Sequence, residues 1–385
     1  MSLDERSGGT GPSWRPSAKS ALAVFCLLLA FAAWVLIVVQ QGCDPASDAA
    51  RGRELFTAEF TPEQGLGPLF NDQSCAGCHL EPTVGGVGQD GLATVLRVGQ
   101  LTPAGFNPMV GRERLEAPKH AISELGVACD REPGIPAGVN VTSVRNAPPL
   151  FGSGLIDAIP DAVIRAGAVA QGDGVRGRPN VVRGPDGRER IGRFGWKADA
   201  PTLELFVAEA FRSELGLTSP LAPALAPSST RAAGGPCTEK SPASEVDRDD
   251  VTAVVAFLAA LPAPAPQRSA PAGARVFQQT GCAACHVPTL RAGTREVELY
   301  SDLLLHDMGR ALDDRVVQEA AAGPDWRTTP LWGLADRTRY LHDGRARTLE
   351  AAIRDHGGEA RRARQRFRSL PGEQRRSLLA FLRTL

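Results

Sequence analysis

The chain has 385 residues, room for two domains of ordinary size plus extras. Its 43 Lys and Arg balance 43 Asp and Glu, which removes any global charge argument for nucleic acid or for an acidic partner. Glycine (41) and proline (30) are plentiful while Phe, Trp and Tyr make up 5%, so a loop-rich globule of short elements is expected, with something besides side chains filling part of its core.

In chain order, residues 1–20 come first as a short tail containing Arg15 and Lys19. Ala21 to Val39 is an uncharged apolar run of 19 residues, about 28 Å as a helix and close to a bilayer's hydrocarbon thickness. The positive-inside rule then places 1–20 in the cytoplasm and everything after the run outside. A cleaved signal peptide is the alternative, but the run is long for one and no A-x-A site follows; lipidation at Cys43 lacks the apolar residue upstream. The expectation is a single-pass anchor over 21–39 in a bacterial inner membrane, a linker over 40–50 and a periplasmic body.

Next comes "SCAGCH" (74–79), and its counterpart "GCAACH" (281–286) lies far downstream. Outside the cytosol a reactive dithiol is disfavoured, and a zinc site needs a fourth ligand that neither triplet has nearby. C-x-x-C-H is the attachment sequence of c-type haem: two thiols bond the macrocycle and the adjacent histidine ligates iron. Cys75, Cys78 and His79 are therefore read as one haem c site and Cys282, Cys285 and His286 as a second, with His79 and His286 on the two irons.

Other landmarks repeat in the same order. "RGRELF" (51–56) is answered by "AGARVF" (272–277), "RNAPPLFG" (145–152) by "RTTPLWG" (327–333), "WKADAPTLE" (196–204) by "HDGRARTLE" (342–350), and "VTAVVAFLAAL" (251–261) by "RRSLLAFLRTL" (375–385). The closing segments have helical apolar spacing, with Phe257 and Phe381 as haem-packing candidates. This is a duplicated domain: an N-terminal haem c domain over 51–261, a Pro/Ala linker over 262–273 and a C-terminal haem c domain over 274–385. The fold class expected is mainly α, two tandem cytochrome c-type domains with loop inserts. "PDG" at 185–187 predicts a small β-hairpin, and an Ala/Pro/Ser stretch from about 219 to 247 reads as a surface loop. Cys129 and Cys237 belong to no motif; they form a disulfide or remain two separate thiols.

The duplication aligns Thr202-Leu203-Glu204 with Thr348-Leu349-Glu350, which matches Trp196 to His342. Eight residues past each threonine stand Ala210 and His356. Histidine there can be the sixth ligand of the second iron; alanine ligates nothing, leaving the first iron an open face unless an insert reaches it.

These residues resemble the bacterial dihaem cytochrome c peroxidases, and more closely the dihaem oxidoreductase branch labelled thiol oxidoreductase. "FNDQSCAGCH", "SVRNAPPLFGSGLIDAIP", "GRFGWKADAPTLE", "LLLHDMG" and "TTPLWGLADRTRYLHDGRARTLEAAIRDHGGEA" carry the closer match, which spans residue 50 to the end. In the peroxidases the second haem's sixth ligand lies 14 residues beyond a Phe/Tyr-x-His-x-Gly histidine; here that histidine is His342 and the ligand position is His356. Met308 in "LHDMG" is the rival ligand. The resemblance implies that Trp196 lies between the haems and relays electrons, plain packing being the alternative. It implies that Glu214 in "SELG" is the distal acid–base group, with Glu209 as the alternative. Calcium is also implied, but Arg337 stands where the peroxidases offer a threonine ligand, so none is predicted. His306 and His342 are expected to orient propionates or backbone, and His120 to be solvated. The tail "EARRARQRFRSLPGEQRR" (359–376), with seven arginines against two glutamates, holds propionates, docks an acidic donor, or is a solvated helix face.

The function expected is reduction of hydrogen peroxide or another small oxidant at an open N-terminal haem. Its electrons come from a low-spin C-terminal haem fed by a donor cytochrome, a small redox protein or a quinol-linked donor. A non-enzymatic anchored electron carrier is one alternative, and an oxidase of a protein or thiol substrate is another.

Overall fold

A computed structural model of the chain describes residues 45–88, 93–108, 116–129, 132–184, 186–222, 244–265 and 270–385. The apolar run 21–39, Cys43, Cys237 and most of the 219–247 stretch lie outside the described residues, so the expected anchor and loop do too. Among the described residues no helix is long and apolar enough to cross a membrane. The chain divides into Met1–Ser47, of which only the last three residues are described, and the unit Asp48–Leu385, which holds both motifs.

The first half opens with α1 (Pro45–Thr57), then β1 (Leu69–Phe70) and the single turn α2 (Cys75–Cys78). Ser74 starts that turn, its Oγ accepting from Gly77 N at 3.1 Å. β2 (Thr94–Thr102) is the centre of a small antiparallel sheet with β3 (Gly105–Asn107), β4 (Glu116–Ala117) and β6 (Val141–Asn146), while β5 (His120–Ala121) pairs with β1. Short helices α3 (Ser153–Asp157) and α4 (Asp161–Gly167) follow, then the hairpin β7 (Val181–Arg183) and β8 (Glu189–Ile191), in register from Val181 against Ile191 to Arg183 against Glu189. Asp186 and Gly187 of "PDG" lie between its strands; Pro185 lies outside the described residues. Helices α5 (Leu203–Glu214) and α6 (Arg248–Ala260) complete the half.

The second half runs α7 (Pro271–Thr280), a 3-10 turn at Cys282–Ala284, the hairpin β9 (Thr289–Ala292) and β10 (Arg295–Glu298), and the pair β11 (Leu305–Asp307) and β12 (Asp325–Arg327). Helices α8 (Leu349–Asp355), α9 (Arg361–Ser369) and α10 (Gly372–Leu382) end it. α7 starts at Pro271, inside the stretch read as linker.

The architecture is a mixture of helix and strand, and this corrects the mainly α expectation. The strands come largely from 94–146, between the first motif and "RNAPPLFG", where β-branched Thr94, Val95 and Val98 suit a pleated, half-buried surface. Their pairing partners lie up to fifty residues away, which local spacing does not reveal.

The helices of the two halves are equivalent in detail. α1 crosses α6 at Gly52, where a Cβ would stand 1.8 Å from Ala253 O and 2.9 Å from Phe257 Cβ. α7 crosses α10 at Gly273, where it would stand 2.2 Å from Ser377 O and 2.4 Å from Phe381 Cβ. Only glycine allows so close a backbone approach. Beside each crossing two phenylalanines pack, Phe56 with Phe257 at 5.3 Å and Phe277 with Phe381 at 5.5 Å between ring centroids. The first pair sits in a hydrophobic core that joins α1, α5 and α6 with Leu299 and Trp332 of the second half, and the second pair in a core from α7, α8, α9 and α10.

Candidate functional site

Two cavities follow from this arrangement, and each receives one C-x-x-C-H motif. The first, about 180 Å³, is lined by Cys75, Cys78, His79, Trp196, Ala210 and Glu214. The second, about 680 Å³, is lined by Cys282, Cys285, His286, Met308, His356 and again Trp196. The second lies within the ~300–1,000 Å³ usual for cofactor sites; the first is tighter, closed by Phe206, Phe211 and Leu258.

Both motif histidines are held the same way. His79 Nδ1 is 3.1 Å from Gly86 O and His286 Nδ1 is 2.9 Å from Tyr300 O. A ring whose Nδ1–H donates to a carbonyl has its lone pair on Nε2, the tautomer a metal requires. Burial lowers the pKa of both, His286 to about 4, so each imidazole is neutral. His356 follows the pattern: half-buried at the C-terminus of α8, its Nδ1 is 2.7 Å from Ala352 O, and desolvation lowers its pKa. It is close enough to depress His286 electrostatically. Met308 lines the same cavity.

Burial raises the thiol pKa of Cys282, Cys285 and Cys75, that of Cys75 to about 12, helped by Cys78, Glu214 and Asp72. Zinc would require thiolates, and among the described residues no group of three or more His, Cys, Asp or Glu is placed to hold a metal ion. Two thiols followed directly by a histidine, opening on a cavity, are the donor set of a covalently attached haem. Buried, unbonded guanidinium nitrogens on both cavities, Arg145 Nη1 in the first and Arg327 Nη1 in the second, match its anionic edge. The residues present fit haem c.

Trp196 lines both cavities, its Nε1 donating to Asn146 O at 2.8 Å. Glu214 Oε2 accepts from Asn71 Nδ2 at 2.8 Å, and the carboxylate lies near Cys75. Glu209 borders the same cavity but is ion-paired to Arg212 and half exposed. His120 is exposed and 2.9 Å from Glu124 Oε2. His306 lies between Asp302 and Glu359, and His342 stacks on Trp326 with ring centroids 3.6 Å apart. Arg337 donates to the carbonyls of Pro330 (3.3 Å) and Trp332 (2.5 Å). In the arginine-rich tail, Arg362 and Arg366 pair with Asp173 at the edge of the second cavity. Cys129 is disulfide-bonded; Cys237, its expected partner, lies outside the described residues.

Sequence reading missed a buried charged group next to Trp196 in the chain. Lys197, fully buried, donates to Ala322 O (2.6 Å), Gly323 O (2.9 Å) and Asp325 O (3.2 Å) and lies 3.3 Å from Asp314 Oδ1. Lys197 and Arg145 each stand 4.3 Å from the Trp326 ring centroid. Burial lowers the Lys197 pKa to about 8. The one signal available was the position of Lys197 next to Trp196.

The family model described as "Di-haem oxidoreductase, putative peroxidase" matches residues 139–385. The chain is also similar to two solved structures. Hydrazine synthase from Kuenenia stuttgartiensis, pressurised with 20 bar xenon, is 15% identical at a TM-score of 0.37, covering 100% of both chains. The diheme peroxidase BthA from Burkholderia thailandensis E264 is 17% identical at a TM-score of 0.42, covering 89% of this chain and 88% of that one. No curated protein matches the chain.

Proposed function

The chain belongs to the di-haem oxidoreductase family, and on that footing we propose that it reduces hydrogen peroxide at its first haem site with electrons that enter at the second. The observation that carries this reading is Trp196, the tryptophan that borders both cavities, with Ala210 on one side and His356 on the other. A site closed by His286 and His356 suits electron storage, and a site with alanine in the matching place suits a small substrate. Bound haem would supply the one-electron centre at each site and, at an open face, the place where peroxide binds.

The protein's own part is positioning and proton handling. His286 offers Nε2 because the Tyr300 carbonyl holds Nδ1, and the His79 ring is oriented by Gly86 O at Nδ1. Glu214 is anchored by Asn71 Nδ2 at Oε2 on the wall of the first cavity, where its carboxylate can take a proton from peroxide and return it to the leaving oxygen. Glu209, engaged by Arg212, is the poorer candidate. His356 is preferred to Met308 as the closing ligand because its ring is already oriented by Ala352 O. The protein is read as two tandem haem domains (51–261 and 274–385) held in the periplasm by a membrane anchor over 21–39. The disulfide at Cys129 supports an oxidising compartment.

Low-temperature electron paramagnetic resonance of the solubilised full chain, oxidised and then with one electron added, tests the proposal. A high-spin or peroxide-responsive first haem beside a low-spin second haem is expected. Two low-spin haems in both states, indifferent to peroxide and cyanide, would make the chain an anchored electron carrier instead.

A further inference from the structure

Arg145 and Arg327 are one arginine written twice: each opens its copy of the repeated segment, "RNAPPLFG" and "RTTPLWG", and each lies at the end of a strand, β6 and β12. Both are buried, 3% and 8% exposed, and each lines the cavity of its own half. Each also keeps a buried Nη1 with no hydrogen-bond partner. Each fork is fixed at another nitrogen: Arg145 Nη2 holds Asp314, and Arg327 Nε donates to Gly195 O at 2.8 Å. Sealing a guanidinium N–H from water without an acceptor is costly, and the same omission at equivalent places in both halves points to an acceptor that the polypeptide does not supply.

We infer that Arg145 and Arg327 form a pair of carboxylate-binding subsites, each taking a propionate of the haem in its own cavity. The inference rests on the haem reading above and adds what holds each haem's charged edge. Guanidinium nitrogens pair with carboxylate oxygens in charge-assisted hydrogen bonds, about twice as strong as neutral ones. Arg337 and Arg364 also border the second cavity, but their unbonded atom is the inner Nε, and neither belongs to the repeated segment.

The two subsites adjoin the same tryptophan. Arg327 N donates to Trp196 O at 3.0 Å, and Trp196 Nε1 donates to the carbonyl of Asn146, the residue after Arg145. Asn146 N in turn donates at 2.7 Å to the carbonyl of His342, the residue matching Trp196 in the second half. Each half's arginine strand is thus tied crosswise to the other half, and charge bound at either arginine acts on the path through Trp196.

The test is a set of haem-loaded full-chain variants, Arg145→Gln, Arg327→Gln and the corresponding Lys variants. The readouts are haem-to-protein ratio by pyridine haemochrome and the midpoint potential of each haem across pH. Losing the cation leaves a carboxylate uncompensated, which favours the oxidised iron and lets the carboxylate titrate. Arg327→Gln is therefore expected to lower the second haem's potential alone and make it fall with rising pH, and Arg145→Gln to do the same to the first. The Lys variants, which keep the charge and the fold, should shift the same haem by less. Full haem content with both potentials and pH profiles unchanged would overturn the inference. A wild-type chain without covalent haem would instead overturn the functional reading beneath it.

Discussion

Ala210 and His356 each stand eight residues beyond a threonine that caps their helix, and each lines one of the two cavities. Thr202 Oγ1 accepts from Leu205 N at 3.2 Å and Thr348 Oγ1 from Ala351 N at 3.1 Å, so both helices start in the same register. They end differently: α5 continues through Ala210 to Glu214, while α8 stops at Asp355, before Gly357 and Gly358. His356 is consequently a C-terminal cap residue, where its ring can turn back to Ala352 O.

Ala210→His should place an imidazole in the first cavity at the position that His356 holds in the second. The expected outcome is a low-spin first haem in the resonance spectrum and loss of peroxide turnover to background, with covalent haem content unchanged. Undiminished turnover would mean that position 210 does not govern the open face.

Glu214→Gln keeps the hydrogen bond from Asn71 but removes the proton-carrying carboxylate. Peroxide turnover is expected to fall about 10²–10⁴-fold, the usual range for a lost general acid–base group. Glu209→Gln, which removes the charge facing Arg212, should stay within a few-fold of wild type. The comparison is made on kcat at saturating peroxide, and a larger loss at Glu209 would reverse the assignment.

What could be read in the sequence was local. The Thr-Leu-Glu helix starts and the hairpin strands on either side of 185–187 each depend on neighbours a few residues away, and each stands in the structure where the spacing placed it. The sheet around β2 was missed because β2 pairs with β6 across some forty residues. The buried charges were missed for the same reason: the partners of Arg145 and Lys197 come from 314–325, a stretch without a motif. The repeat did contain Arg145 and Arg327 at matching places, but only burial distinguishes them from surface arginines.

Gly273→Ala tests the helix crossing. The added Cβ would lie 2.2 Å from Ser377 O and 2.4 Å from Phe381 Cβ, too close without moving α7 or α10. Such overpacking typically costs about 1–3 kcal/mol. Gly172→Ala, where a Cβ meets nothing within 4 Å, should change stability by no more than ~0.5 kcal/mol. Urea denaturation of the two variants beside wild type decides it; equal midpoints for all three would show that the crossing has slack.

His306 makes stability depend on pH with a definite sign. It is 3% exposed, with Nε2 2.9 Å from Asp302 Oδ2 and Nδ1 2.7 Å from Glu359 Oε2. Burial opposes its charge, but the hydrogen bonds to Asp302, Cys285 and Glu359 outweigh it and push the pKa up to about 12. In the unfolded chain the imidazole titrates near ~6.5. With the folded value above the unfolded one, the stabilisation is fully present below pH ~6.5 and is lost as pH rises through about 12. Attachment of Cys285 to haem leaves both carboxylates in place, so the sign survives in the loaded protein. His306→Gln should therefore lower the urea midpoint most at about pH 6, and its gap to wild type should narrow steadily toward about pH 10. The gap also reports a contact between the halves, because Glu359 Oε2 accepts from Arg176 N at 2.8 Å. A gap of constant size across that range would mean that His306 is neutral and that its two carboxylates are satisfied by other donors.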